Sequence, residues 1–462
     1  MPMLDTPVGE PPRLGVAAPT GAGALLRSWM TLDRLLLLAL LAVVLAPLGL
    51  DDRSAAASLL ATGAGTLLIL RALVAALGRP RLPMPLRRLA PALACFGLAV
   101  AWTMVQAMPF VPAAWQHPLW SLTGDALGGR ATGSIALDRA VAIDGVLSLL
   151  AHFAVFWTAL GLARDGVQAR ILATGFALAV AVLGFGALAA MATHGEVRAG
   201  EGDAGLYGLG LLAAVAVALD RIGAAAESGM RPRRALRLAG KALAANRSLL
   251  AATLSVSALV AGLLGHVSDL TAVIAGLLSF LPAIAVAPAL RFGGHRLVLV
   301  AVVGAVALLA ASAGTFATLV LPPATIRDDS AVSAAALAAA RRDAAWLGFG
   351  LGSFDAAIKA YRDLEEDSME AARPSLYGRL LVETGRPASA SFAAAAMALL
   401  TTIAWGLRTR RRNAAYPALA IAASLLIGLL ATGSVLLPPA LTAGCALLLG
   451  IGYAQSFKTR RD

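Results

Sequence analysis

Long apolar runs separated by short polar segments occupy most of the chain. A helix needs about 20 apolar residues to cross roughly 30 Å of hydrocarbon. Twelve runs approach that length, near 35–50, 55–77, 89–110, 143–162, 171–192, 205–219, 249–264, 271–290, 297–321, 389–407, 415–430 and 438–454. In lipid every backbone polar group must find a partner within the protein, which favours helices. The short alternating segments of a β-barrel are missing. The predicted fold is an all-α polytopic membrane protein of about twelve transmembrane helices, with a large helical loop between spans nine and ten.

The pattern divides the chain into 1–31, a disordered tail; 32–321, spans one to nine; 322–388, the loop; 389–454, spans ten to twelve; and 455–462, a short tail. Composition agrees. The chain is 59% hydrophobic and 14% charged, with a mean hydropathy of +0.79, against roughly 25% charged residues in soluble domains.

A net charge of +12 raises a nucleic-acid partner, but placement argues against it. The basic residues lie in short clusters between apolar runs, as cytoplasmic loops of membrane proteins do. With the N-terminus inside, the inner segments hold 25 Lys and Arg, while the short outer loops hold four: Arg53, Arg130, Arg139 and Arg198. That alternation predicts both termini in the cytoplasm and the large loop on the outer, periplasmic face of a bacterial inner membrane. The lipid bilayer is then an obligate partner. Arg71 is the basic residue within a span, and snorkelling to the inner interface accounts for it. Cys95 and Cys445 fall in apolar spans and read as packing residues. Trp115 and Trp120 lie in the outer segment 111–142 and suit interfacial anchoring.

The stretch 322–388 carries eight Lys or Arg and ten Asp or Glu. Asp328 and Asp329 suit the cap of a helix running to Arg341 and Arg342. The turn GFGLG (348–352) follows it. Phe354, Ile358, Tyr361 and Leu364 then share one helical face, expected to pack on the bundle. Pro374 suits the first turn of a third helix. That helix has Leu376, Tyr377, Leu380 and Leu381 as its expected apolar face, and Gly385 ends it.

The phrases WLGFGLGSFDAAIKAYRD (346–363) and ARPSLYGRLLVETGRP (372–387) resemble the periplasmic loop of the O-antigen ligase and O-antigen polymerase (Wzy-type) superfamily. SIALDRAVAIDGVLSLLAHFAVFWTALGLARD (134–165) and LYGLGLLAAVAVAL (206–219) resemble two further stretches of that family. The resemblance implies a metal-independent inner-membrane glycosyltransferase with no cofactor. Its donor would be an undecaprenyl-pyrophosphate-linked glycan, and its partners other polysaccharide assembly proteins. It also implies arginines on the pyrophosphate and a loop histidine as general base.

The chain departs from that pattern at several of these groups. Pro374 and Ser375 stand at the His-Asn phrase, and proline takes no proton. Ala199, Gly200 and Glu201 stand at an Asn-Arg-Asn phrase, with Arg198 beside them. Ser268, Asp269 and Leu270 stand at a Ser-Arg-Gly phrase, and Ser330 at an early loop arginine. His194 and His266 remain as displaced bases. Arg198, Arg341, Arg342, Arg362, Arg373, Arg379, Tyr377 and Glu383 remain as candidate substrate contacts, with Arg386 a further loop arginine. The reading is an O-antigen ligase/polymerase-like protein with impaired or no catalysis. The alternatives are an active divergent ligase or polymerase, and a polysaccharide transporter or flippase. The near absence of charges within spans, and of internal repeats, speaks against the last.

Overall fold

The apolar runs fold as helices in a computed structural model, which describes residues 20–50, 52–77, 86–126, 128–129, 132–194, 203–226, 332–344, 346–362, 371–372, 376–409, 414–433 and 437–457. The helices are α1 Thr20–Leu45, α2 Arg53–Leu77, α3 Leu86–Ala107, α4 Pro118–Ala126, α5 Arg139–Leu162, α6 Gly166–His194, α7 Asp203–Ala226, α8 Ala334–Asp343, α9 Phe354–Arg362, α10 Leu376–Thr409, α11 Ala415–Gly433 and α12 Pro439–Gln455. A two-residue antiparallel pair, Val332–Ser333 with Ala371–Ala372, ties two segments within the loop together.

Five segments are long and apolar enough to cross a membrane: Ser54–Ala76, Leu86–Ala107, Arg139–Leu162, Gly166–Gly186 and Leu376–Leu407. Gly205–Val217, Ala415–Gly428 and Pro439–Gln455 are shorter apolar helices. The spans expected at 249–264, 271–290 and 297–321 lie outside the described residues, as do His266, Arg198 and Pro374. One local expectation is corrected. Helix α1 begins at Thr20, well ahead of the tail boundary expected at residue 31. The segment after α3 contains a helix of its own, α4.

Helix α5 is the centre of the bundle, packing on α2, α3 and α12, while α12 continues the core to α11 and α7. Asp138 starts α5 as its N-cap, its Oδ1 accepting from Ala140 N at 2.9 Å and Val141 N at 3.2 Å. A capping carboxylate satisfies amides that have no helical partner and sits at the positive end of the helix dipole.

Polar contacts occur within the bundle, where His152 meets Thr442 Oγ1 at 2.7 Å, and at its two ends. At one end Arg71 is buried and donates from Nη1 to Trp157 O at 2.8 Å and Thr158 O at 3.0 Å, in the last turns of α5. Snorkelling is therefore not its solution: α5's terminal carbonyls hold the charge inside the protein. At the same end Gln455 donates to Ala163 O at 2.6 Å. There too Arg170 pairs with buried Asp220 at 2.8 Å, and Asp220 accepts from Tyr416 OH at 3.3 Å, tying α6, α7 and α11. The opposite end carries the loop.

Candidate functional site

The site is built around a break in α10. Gly385 adopts φ +72°, ψ 172° inside the helix, and Pro387 follows. Proline lacks the N–H that would bond to the carbonyl four residues earlier, so Glu383 O is left without a helical partner. The carbonyls around the break are claimed from outside the helix. Val382 O accepts from Phe349 N at 3.0 Å and Glu383 O from Gly350 N at 2.8 Å. Thr384 O accepts from Trp102 Nε1 at 3.1 Å. Gln106, near the end of α3, donates through Nε2 to Glu383 O at 3.3 Å and also to Leu347 O.

The turn GFGLG thus adds its backbone to a broken helix, and its glycines make the approach possible. Gly348, Gly350 and Gly352 have φ of +72°, +98° and +84°, a region costly to residues with a Cβ. The turn also reaches the segment leading into α5: Leu137 N donates to Phe349 O at 2.9 Å. The two loop phrases singled out in the sequence, together with 134–142, form one hydrogen-bonded unit.

Arg379 and Glu383 lie on the turn before the break. Their Nε–Oε1 distance is 2.8 Å, and the residues are only 6% and 5% exposed. Glu383 Oε1 also accepts from Phe354 N at 3.3 Å. Arg379 Nη2 reaches Asp355 Oδ2 at 3.5 Å, and the guanidinium lies over the Phe354 ring at 5.2 Å. The helix therefore buries the face bearing Arg379, Val382 and Glu383. The face expected to be inward is not: Tyr377 is 56% exposed and meets Gly428 O at 3.5 Å, and Leu376, Leu380 and Leu381 are half-buried. Phe354 N and Asp355 add bonds to the buried pair, while Arg379 Nη1 is buried without a hydrogen-bond partner.

Phe354 and Ile358 are buried as expected, but in a small core of the loop's own. They pack with Leu337, Ala340, Ala344, Phe349 and Val382, and Tyr361 and Leu137 close it.

His117, ahead of α4, stands beside this unit and was not among the histidines that sequence reasoning considered. Its ring meets Phe349 edge-on at 5.2 Å. Phe349 stacks on Tyr361 at 6.0 Å, and Tyr361 OH donates to Asp343 at 2.6 Å. Burial lowers the imidazole pKa from its ordinary value, and the charge of Asp343 opposes that shift. Burial, then the bond to Asp343, raises the Tyr361 phenol pKa. His117 Nδ1 accepts from Leu119 N at 3.3 Å, which fixes the neutral tautomer with its proton on Nε2. The Nδ1 lone pair is engaged by Leu119 N, and the other ring nitrogen carries the hydrogen. Its only signal in the sequence was its position just before a proline-started helix.

The remaining candidates scatter. Arg341 and Arg342 are exposed at the end of α8. Arg362 ends α9, and His194 ends α6. Arg373 lies outside the described residues. Among the described residues, no His, Cys, Asp and Glu side chains are grouped as metal ligands would be. Compared with known proteins, the chain matches no family model, no curated protein and no solved structure.

Proposed function

We propose that this protein is an O-antigen ligase/polymerase-like component of bacterial cell-surface polysaccharide assembly. It holds an undecaprenyl-pyrophosphate-linked glycan at its loop end, on the periplasmic face of the inner membrane, and transfers that glycan weakly or not at all. The observation that carries the reading is the joining of GFGLG to the broken helix at Gly385. The two loop phrases that bear the resemblance are joined in one physical unit at one end of an apolar bundle.

The weak transfer follows from the chemistry of that end. Activating an acceptor hydroxyl needs a lone pair, and general base catalysis is typically worth about 10²–10⁴ in rate. Proline stands where the base is expected, and His117 spends its Nδ1 lone pair on α4. Arg379 is committed to Glu383. Binding without turnover suits a protein that gathers lipid-linked glycan for other assembly proteins.

The test is the purified protein in nanodiscs with an undecaprenyl-pyrophosphate-linked glycan and a range of acceptors, scored separately for binding and for transfer. Saturable binding without transfer is expected. Robust transfer would overturn the inactive reading, and its loss in His194→Ala, His266→Ala or His117→Asn would locate the base. Absence of binding would remove the glycan reading altogether.

A further inference from the structure

The loop end carries a row of large side chains that the protein leaves uncovered. Trp346 is 66% exposed, and Arg386 lies over its indole at 5.9 Å from Cζ to the ring centroid. Arg386 directly follows Gly385, where α10 breaks before its apolar continuation. Phe110 is 80% exposed, just past Ala107, the end of the apolar helix α3. Leu122, on α4, is 61% exposed.

These groups are connected. Trp115, also exposed, packs on Trp102 at 6.4 Å, and Trp102 donates to Thr384 O, next to Gly385 and Arg386. The surface therefore runs from α4, across the end of α3, to the break in α10.

We propose that this surface sits in the headgroup layer of the bilayer and seats the glycine turn at the level of the lipid phosphates. Phe110 follows directly on an apolar helix that could cross a membrane, and Arg386 lies at the break just ahead of the apolar continuation of another, so connectivity alone places both near a membrane boundary. Indole rings prefer that boundary, with an apolar body in the lipid and a polar edge in the headgroups. A guanidinium held over an indole keeps its donors for phosphate oxygens. Leu122 and Phe110 would otherwise expose apolar area to water. The occupant is thus lipid rather than a second protein. The loop core would not stand above the membrane but rest on it, with Gln106 and Gly350 close to the phosphate plane. The inference rests on the membrane spans, not on the glycan reading.

The experiment attaches a fluorophore to single cysteines at Phe110→Cys, Leu122→Cys and Trp346→Cys. The background is Cys95→Ala with Cys445→Ala, and the protein is in nanodiscs of phosphatidylcholine and phosphatidylglycerol. Lys359→Cys, on the exposed side of α9, is the aqueous reference. The proposal expects strong quenching of the first three labels by a lipid with a shallow spin label. It expects iodide quenching several-fold weaker than at position 359. Iodide quenching equal to the reference at all three sites would overturn it, as would protection from both quenchers, which would mean a protein cover. If the labelled variants do not fold, Trp346→Phe in the otherwise native chain reads the same point: it should remove a share of the tryptophan emission that brominated lipid quenches. No change in brominated-lipid quenching would count against the proposal.

Discussion

Gly348 and Gly385 meet backbone to backbone: a Cβ on Gly348 would lie 2.6 Å from Gly385 N, and one on Gly385 would lie 2.9 Å from Gly348 N. Both have φ +72°. The GFGLG turn and the break in α10 are therefore each the condition for the other. Alanine at either position faces strain of about 1–2 kcal/mol from the left-handed backbone and overpacking of about 1–3 kcal/mol. Gly128, with φ +65° and open space around it, isolates the first cost. Thermal unfolding should rank Gly348→Ala and Gly385→Ala well below Gly128→Ala. Equal shifts for all three would show that the close approach does not exist.

The pair Arg379–Glu383 should behave as a buried ion pair. Removing one partner leaves a buried charge, at a cost of about 3–5 kcal/mol. Glu383→Leu is expected to lower stability more than the double change Arg379→Met with Glu383→Leu, because the double change removes both charges. A double-mutant cycle measured by chemical unfolding checks this. Simple additivity would mean that the two side chains do not pair.

Arg71 occupies the space left by Gly161, where a Cβ would fall on the guanidinium. Gly161→Ala should expel the charge from its place against Trp157 O and Thr158 O. A loss of about 2–4 kcal/mol is expected from the unpaired buried group together with overpacking. In an Arg71→Ala background the same glycine change should cost far less, since contacting residues are not additive. An equal loss in both backgrounds would refute the contact.

His117 makes part of the stability pH-dependent. Its pKa in the fold is below the ordinary 6.5, chiefly through burial. Below about 6.5 the unfolded chain takes up this proton before the folded one does, so stability falls as pH drops through that window. The loss levels off once pH is below the folded value. Protonation also ends the acceptance from Leu119 N. His117→Asn keeps a capping side chain and should flatten the melting-temperature difference between pH 7.5 and pH 5.5, values chosen to bracket the titration near 6.5. An unchanged pH dependence in that variant would exclude this role.

Much of the loop's local structure was legible in the chain. The helix over 354–362 was readable from the spacing of Phe354, Ile358 and Tyr361, because a period near 3.6 is a local property. The turn over Gly348–Gly352 was readable from the glycine run, and the structure gives those glycines positive φ. The apolar helices were readable from run length, since five described segments are long enough for a membrane crossing. These features depend on neighbours in sequence, which the sequence states directly.

Which face of a helix turns inward was another matter. Periodicity around 376–385 favoured Leu376, Tyr377, Leu380 and Leu381, yet the fold buries Arg379 and Glu383. Their burial depends on Phe354 N and Asp355, whose approach is set by a backbone turn that carries no side-chain signal. The place of His117 in the site was not readable for the same reason: Phe349, which its ring meets, lies far along the chain. Sequence by itself determined an apolar helical chain with a polar loop broken by glycines. Only the tertiary structure decided which polar groups satisfy one another, because the cost of burying a charge or a lone pair is set by whatever atom lies opposite it in space.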